Sequence, residues 1–173
     1  MTTLVRSTNF RYPVMVLALA FFALTTSALL SRTVFDRLPH LEDELAYLFQ
    51  AQVFARGDWA APLQTPANAF WQPFTIDYPN GQRFSKYTPG WSALLAVGVA
   101  NGAGWWVNAV FAALNVALVY RLAREIFGRG VGLFAAALLA FSPMALLLNA
   151  TLMNHTAALT FTLLFMWANW RMS

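Results

Sequence analysis

Long uncharged runs alternate with short polar breaks along this chain, and the runs are too apolar and too long for the core of a soluble domain. A helix needs about 18 or more predominantly apolar residues to cross a bilayer. Four runs approach or exceed that length, at 12–31, 105–120, 131–148 and 156–170. The pattern predicts an all-α polytopic membrane protein with about four transmembrane helices. Between the first two runs lies a polar segment, 32–104, read as an outer loop. Within it Leu41, Leu45, Leu48, Phe49, Gln52 and Val53 follow helical spacing up to Gly57. This stretch is too short and too charged to span, and is expected as a juxtamembrane amphipathic helix. Phe74-Thr75-Ile76-Asp77-Tyr78, the turn Pro79-Asn80-Gly81 and the run 82–87 predict a short hairpin.

The run 89–100 is about 12 residues long, too short for a hydrocarbon core of about 30 Å, and Asn101-Gly102-Ala103-Gly104 breaks it. Charge decides how it lies. Arg6 and Arg11 precede the first span and put the N-terminus in the cytoplasm by the positive-inside rule. With 89–100 interfacial or re-entrant on the outer side, Arg121, Arg124, Arg129 and Arg171 also fall inside, with Glu125 the one acid among them. A crossing at 89–100 would send the first three outside. Trp105 and Trp106 then anchor the outer end of the second span. Pro143 is expected to kink the third, with Ser142 satisfying a freed backbone group. A cleaved signal peptide, marked by Thr26-Ser27-Ala28, is the rival reading of the first span; the later spans favour a resident membrane segment.

Composition narrows the chemistry. The chain is 59% hydrophobic and 10% charged, and it has no cysteine, which excludes disulfides, thiolate metal sites and cysteine nucleophiles. Its net charge of +4 calls for no nucleic-acid partner. Six of its seven acids, Asp36, Glu42, Asp43, Glu44, Asp58 and Asp77, gather in the outer loop. That concentration marks the loop as the place for any proton transfer. Glu42, Asp43 and Glu44 also suit the positive N-terminal end of a helix, a purely structural role.

The acidic pair Asp43-Glu44, Tyr47 and the closing Gly57-Asp58-Trp59 with Pro62 resemble the first external loop of GT-C glycosyltransferases, of the aminoarabinose transferase and protein O-mannosyltransferase type. Lys86-Tyr87-Thr88-Pro89-Gly90-Trp91 is similar to the segment that opens a short outer helix in those families. The turn Arg121-Leu122-Ala123-Arg124-Glu125-Ile126-Phe127-Gly128 and the later Ser142-Pro143 are similar too. The resemblance runs over nearly the whole chain, which corresponds to the N-terminal portion of such an enzyme, so activity of these 173 residues alone is not expected. Members often carry a second Asp at the outer start of the fourth span, where this chain has Asn154-His155.

The resemblance implies transfer of a sugar from a polyprenyl-phosphate donor to an acceptor glycan, lipid or protein on the extracytoplasmic face of a bacterial inner membrane. Asp43 matches the catalytic Asp, with Glu44 as its neighbour and substitute. A carboxylate near the membrane surface and shielded on its lipid side suits the role of general base. Tyr47, Arg83, Lys86 and His155 are the substrate-binding candidates: the two cations suit a lipid phosphate, and His155 suits a phosphate or a proton. Ordinary headgroup contact by the cations and an interfacial role for the histidine stay open. No residue is assigned to a metal, while a divalent cation as cofactor is left open. A non-catalytic membrane protein, lipid-binding or transporter-like, or an inactive truncated transferase, is the alternative. Transporters place polar groups in mid-span, whereas here they gather at one face apart from Asn108 and Asn115.

Overall fold

The computed structural model describes the backbone of residues 4–172 and the side chains of residues 11–172, so the side chain of Arg6 lies outside the described residues. Helix α1 (Leu4–Thr33) leads into a turn and then α2 (Glu42–Ala55), which ends as Gly57 takes a φ of +87°. A small antiparallel sheet follows, β1 (Ala61–Pro62), β2 (Thr75–Tyr78) and β3 (Gln82–Ser85), in the order β1-β3-β2. The hairpin turns at Asn80-Gly81, with Ile76 opposite Phe84 and Asp77 opposite Arg83. Then come α3 (Pro89–Ala100), α4 (Val107–Phe127), α5 (Arg129–Ala140), α6 (Pro143–Asn149) and α7 (His155–Met172).

Among the described residues two helical stretches are long and apolar enough to cross a membrane, 11–33 and 104–127. The pair α5 and α6 makes a third if taken as one span, bent by 61° at Ser142-Pro143. Proline cannot supply the N–H that would continue α5, and the Ser142 hydroxyl accepts from the Ala145 N–H at 3.3 Å to restart the helix. The expected fourth span does form a helix, α7, of 18 residues. It is not apolar enough to count as a span by composition, because His155, Asn169 and Arg171 lie near its ends. The fold is therefore mostly helical and membrane-like, with two spans or up to three on this criterion rather than four.

The helices pack through small side chains. Ala23 of α1, Ala112 of α4, and Ala136 and Ala140 of α5 are buried together with Val16, Val116 and Tyr120. Gly132 shows how close α5 comes to α4: a Cβ there would lie 2.9 Å from the Arg124 nitrogen and the Tyr120 carbonyl. Such close approach is how helices gain dispersion contact where lipid removes the hydrophobic drive. Gly98 of α3 serves the same end, since a Cβ would run into Val107 at the start of α4.

The second core lies where α2 and α3 meet the turn before α7, and joins Tyr47, Ala51, Trp91, Leu95, Leu152 and Met153. Buried polar groups hold that turn. Asn108 donates to the carbonyls of Thr151 (2.7 Å) and Met153 (2.8 Å), and the Trp91 indole donates to that of Leu152 (2.9 Å). Deeper, Asn115 donates to the Thr156 carbonyl and accepts from the Thr160 hydroxyl. Both asparagines are thus helix-packing groups, as a polar side chain in an apolar bundle must be.

Helix α3 has 12 residues and would measure about 18 Å at 1.5 Å per residue, well short of the hydrocarbon core. A cysteine at Asn101 should therefore react with a membrane-impermeant reagent from the same side as a cysteine at Asn80 in the hairpin turn. Labelling of the two from opposite sides would overturn this placement.

Candidate functional site

Three consecutive acids open α2, and successive residues on a helix point about 100° apart. They consequently do three different things. Glu42 faces solvent. Glu44 is 1% exposed and turns into the second core, where Oε1 accepts from the Leu152 N–H at 3.0 Å. Its Oε2 reaches back to the N–H of His40 (2.7 Å) and, more loosely, of Leu41 (3.4 Å), as an acid in the third helical position commonly does. Asp43, between them, is half-buried and accepts the Tyr87 hydroxyl.

Tyr47 sits one turn beyond Asp43 on the same face, and its buried ring stacks on that of Tyr87 with centroids 4.6 Å apart. Gln50 continues this face: it donates to the Trp59 carbonyl (2.9 Å) and accepts from the Ser85 N–H (2.8 Å). One side of α2 is thereby stitched to β3 and to the closing Gly57-Asp58-Trp59. Burial first, then the hydrogen bond to Asp43 and its charge, push the Tyr87 phenol well above its ordinary value of 10.0. Burial, then the Asp43 charge, raises the Tyr47 phenol as well. Both phenols stay protonated donors across any physiological pH.

Lys86 is exposed and lies over aromatic rings, its Nζ 3.5 Å from the Phe74 centroid and 5.0 Å from that of Tyr87. Tyr87 therefore carries a carboxylate at its hydroxyl and a cation over its face. Arg83 is committed elsewhere. Its buried guanidinium holds both oxygens of Asp77, with Nη2 to Oδ2 at 2.8 Å, and donates to the Phe70 carbonyl. The hydrogen bond from Arg83 keeps the Asp77 carboxyl below its ordinary value. This pair closes the hairpin onto the short 3₁₀ turn Ala67–Phe70.

His155 is exposed and lines a cavity of about 90 Å³ with Ala23, Asn115, Asn149 and Thr156, to which no residue of the 32–104 loop contributes. The turn before α7 meets α2 through the Leu152 N–H, which donates to Glu44. A separate groove of about 410 Å³ adjoins the loop site, lined by Phe54, Asp58, Trp59, Pro89 and Gly90. Trp59 is 80% exposed there, packed edge-on against Phe54. Among the described residues no three His, Asp or Glu side chains gather closely enough to hold a metal ion.

Two residues of this site, Tyr87 and Gln50, were not singled out by sequence. Gln50 lies on the Asp43–Tyr47 helical face, a signal that was there to read. Tyr87 had only its adjacency to Lys86, since its partner is 44 positions away.

Residues 88–172 match the sequence model of the dolichyl-phosphate-mannose-protein mannosyltransferase family. That match supports identification of the chain as GT-C glycosyltransferase-like, and together with the apolar helices it supports a membrane glycosyltransferase. The matched segment contains α3 to α7 and His155, and starts just past Lys86 and Tyr87. Neither the curated proteins nor the solved structures gave a match.

The geometry separates the two acids by experiment. Glu44→Ala strips the acceptor from two well-formed N–H bonds, one buried and one part-buried, and a buried group left unmet costs about 1–3 kcal/mol. It should lower the thermal midpoint in detergent by several degrees, whereas Asp43→Asn should leave it nearly unchanged. Equal midpoints for Glu44→Ala and the parent protein would overturn the structural role of Glu44.

Proposed function

We propose that this chain carries the catalytic loop of a membrane glycosyltransferase that moves a sugar from a polyprenyl-phosphate donor to an acceptor hydroxyl or amine. The reaction takes place on the extracytoplasmic face, with the N-terminus and the arginine-rich turn in the cytoplasm of a bacterial inner membrane. Four spans, α7 included, give that topology. The observation that carries the reading is Asp43: the one acid of the α2 cluster that is neither spent on backbone nor left in open solvent.

Asp43 accepts the proton of the acceptor as its oxygen or nitrogen attacks the anomeric carbon and the bond to the donor phosphate breaks. The Tyr87 hydroxyl fixes one carboxylate oxygen and leaves the other for the acceptor. Tyr87 is a positioning residue here, and its high pKa suits it, because a phenol that does not ionise never repels the carboxylate. Lys86, over the face of the same ring, offers a cation to the departing phosphate. Its charge is held by aromatic faces rather than by an acid, so it stays available. Arg83, locked to Asp77, takes the structural role. The groove at Trp59 offers an aromatic face against which a sugar can stack.

Asp43→Asn keeps size and removes the base, so turnover with a polyprenyl-phosphate sugar donor should fall about 100-fold or more, with thermal stability retained. Glu42→Gln and Asp58→Asn should each cost far less. Near-parental turnover in a folded Asp43→Asn protein would refute the assignment.

Tyr87→Phe and Lys86→Met probe the two contacts of the ring, at its hydroxyl and over its face. The first removes a hydrogen bond to a charged group and should lower kcat about tenfold. The second should raise KM for the donor about fivefold, the worth of one cation near an anionic headgroup. A Lys86→Met protein with unchanged KM would remove the lysine from the donor site.

A further inference from the structure

At the end of the bundle opposite the hairpin, α1 and α7 both pack on α4 but leave a groove of about 580 Å³ between them. Its floor is apolar, with Leu17 of α1 and Ala117 of α4. Its rim carries Arg121 and Arg124 of α4 and Arg171 of α7. Three guanidiniums therefore face a single carboxylate, Glu125. That carboxylate holds two of them in place: Arg171 at 3.2 Å and Arg121 at 3.5 Å. The Trp167 indole donates to the same carboxylate at 3.1 Å, and its ring lies 4.6 Å from the Arg121 guanidinium. Arg124 pairs with no carboxylate among the described residues and has only the ring of Tyr120, 6.0 Å away.

The groove is thus preorganised at its cationic end and apolar along its length. It opens where the two helices fit to cross a membrane reach the same end of the bundle, at the boundary between hydrocarbon and headgroups. We propose that it binds an anionic phospholipid. The phosphate sits against Arg124 with Arg121 and Arg171 beside it, and one acyl chain lies along Leu17 and Ala117. A soluble phosphate would use the arginines and leave the apolar floor uncovered. A zwitterionic lipid would bring its own cation to a rim that already holds a surplus of two.

The test is retention of lipid by the full chain extracted from nanodiscs that mix phosphatidylglycerol and phosphatidylcholine of matched acyl chains, read by native mass spectrometry. The parent protein should keep the anionic lipid preferentially, and added salt should weaken the preference. Arg124→Gln should reduce it about fivefold, and adding Arg121→Gln should reduce it further. Arg124→Lys should keep most of it, and Arg129→Gln, outside the groove, should leave it unchanged. Equal retention of the two lipids by the parent protein would overturn the proposal, as would an Arg124→Gln protein with undiminished preference. Displacement of the lipid by excess inorganic phosphate, or a copurifying acidic peptide in its place, would overturn it as well. If Arg124→Gln does not fold, the salt series decides, and a preference insensitive to salt overturns the site.

Discussion

The contact on which the loop depends is the Glu44 carboxylate against the Leu152 peptide, joining residues 108 positions apart. A carboxylate that is 1% exposed is costly unless every lone pair it turns inward finds a donor. Here backbone N–H groups from two places in the chain meet it: His40 and Leu41 before α2, and Leu152 before α7. Leu152 is captured on both sides of its Cα, because its carbonyl accepts from the Trp91 indole of α3. One residue thereby links α2, α3 and the turn into α7. The neighbouring carbonyls of Thr151 and Met153, taken by Asn108, tie the same turn to α4. The loop is not draped over the helices; it is bolted to them at one point.

That point also sets the register of the site. With Glu44 fixed inward, the 100° step of the helix turns Asp43 to one side, towards Tyr87, and Tyr47 and Gln50 follow on the same face. Glu42 is left in water. A rotation of α2 by one residue that buried Asp43 would carry Glu44 out to the exposed direction of Leu45, so the identities of the two acids are not interchangeable in place. This is why sequence could nominate both but could not divide the work between them.

Much of the architecture was legible because it follows from length and composition. The 89–100 helix, the hairpin around Asn80-Gly81, the break at Ser142-Pro143 and the end of α2 near Gly57 all rest on local chemistry that needs no partner. Pairings across long separations were not legible. Nothing local says that Arg83 is consumed by Asp77 and the Phe70 carbonyl, or that His155 lines the cavity beside Asn115. Length and composition do not by themselves carry the fourth span, for a related reason. Residues 156–170 are uncharged, but polar residues at the ends of α7 dilute it, and an uncharged run is not by itself an apolar helix.

The two ends of the bundle solve opposite problems with similar parts. At the hairpin end a cation, Lys86, rests on aromatic rings and a carboxylate, Asp43, accepts from a phenol, so both charges are held in position without being neutralised by each other. At the other end the carboxylate Glu125 is spent on Arg171 and Arg121, and Arg124 is left over. A direct ion pair fixes geometry at the expense of charge, while a ring or a hydroxyl fixes geometry and leaves the charge free to act. Chemistry on a phosphate-linked donor needs a base and a cation that are placed but unpaired. The loop site has that form, and the Arg83–Asp77 pair a few residues away, equally well placed and fully neutralised, does not.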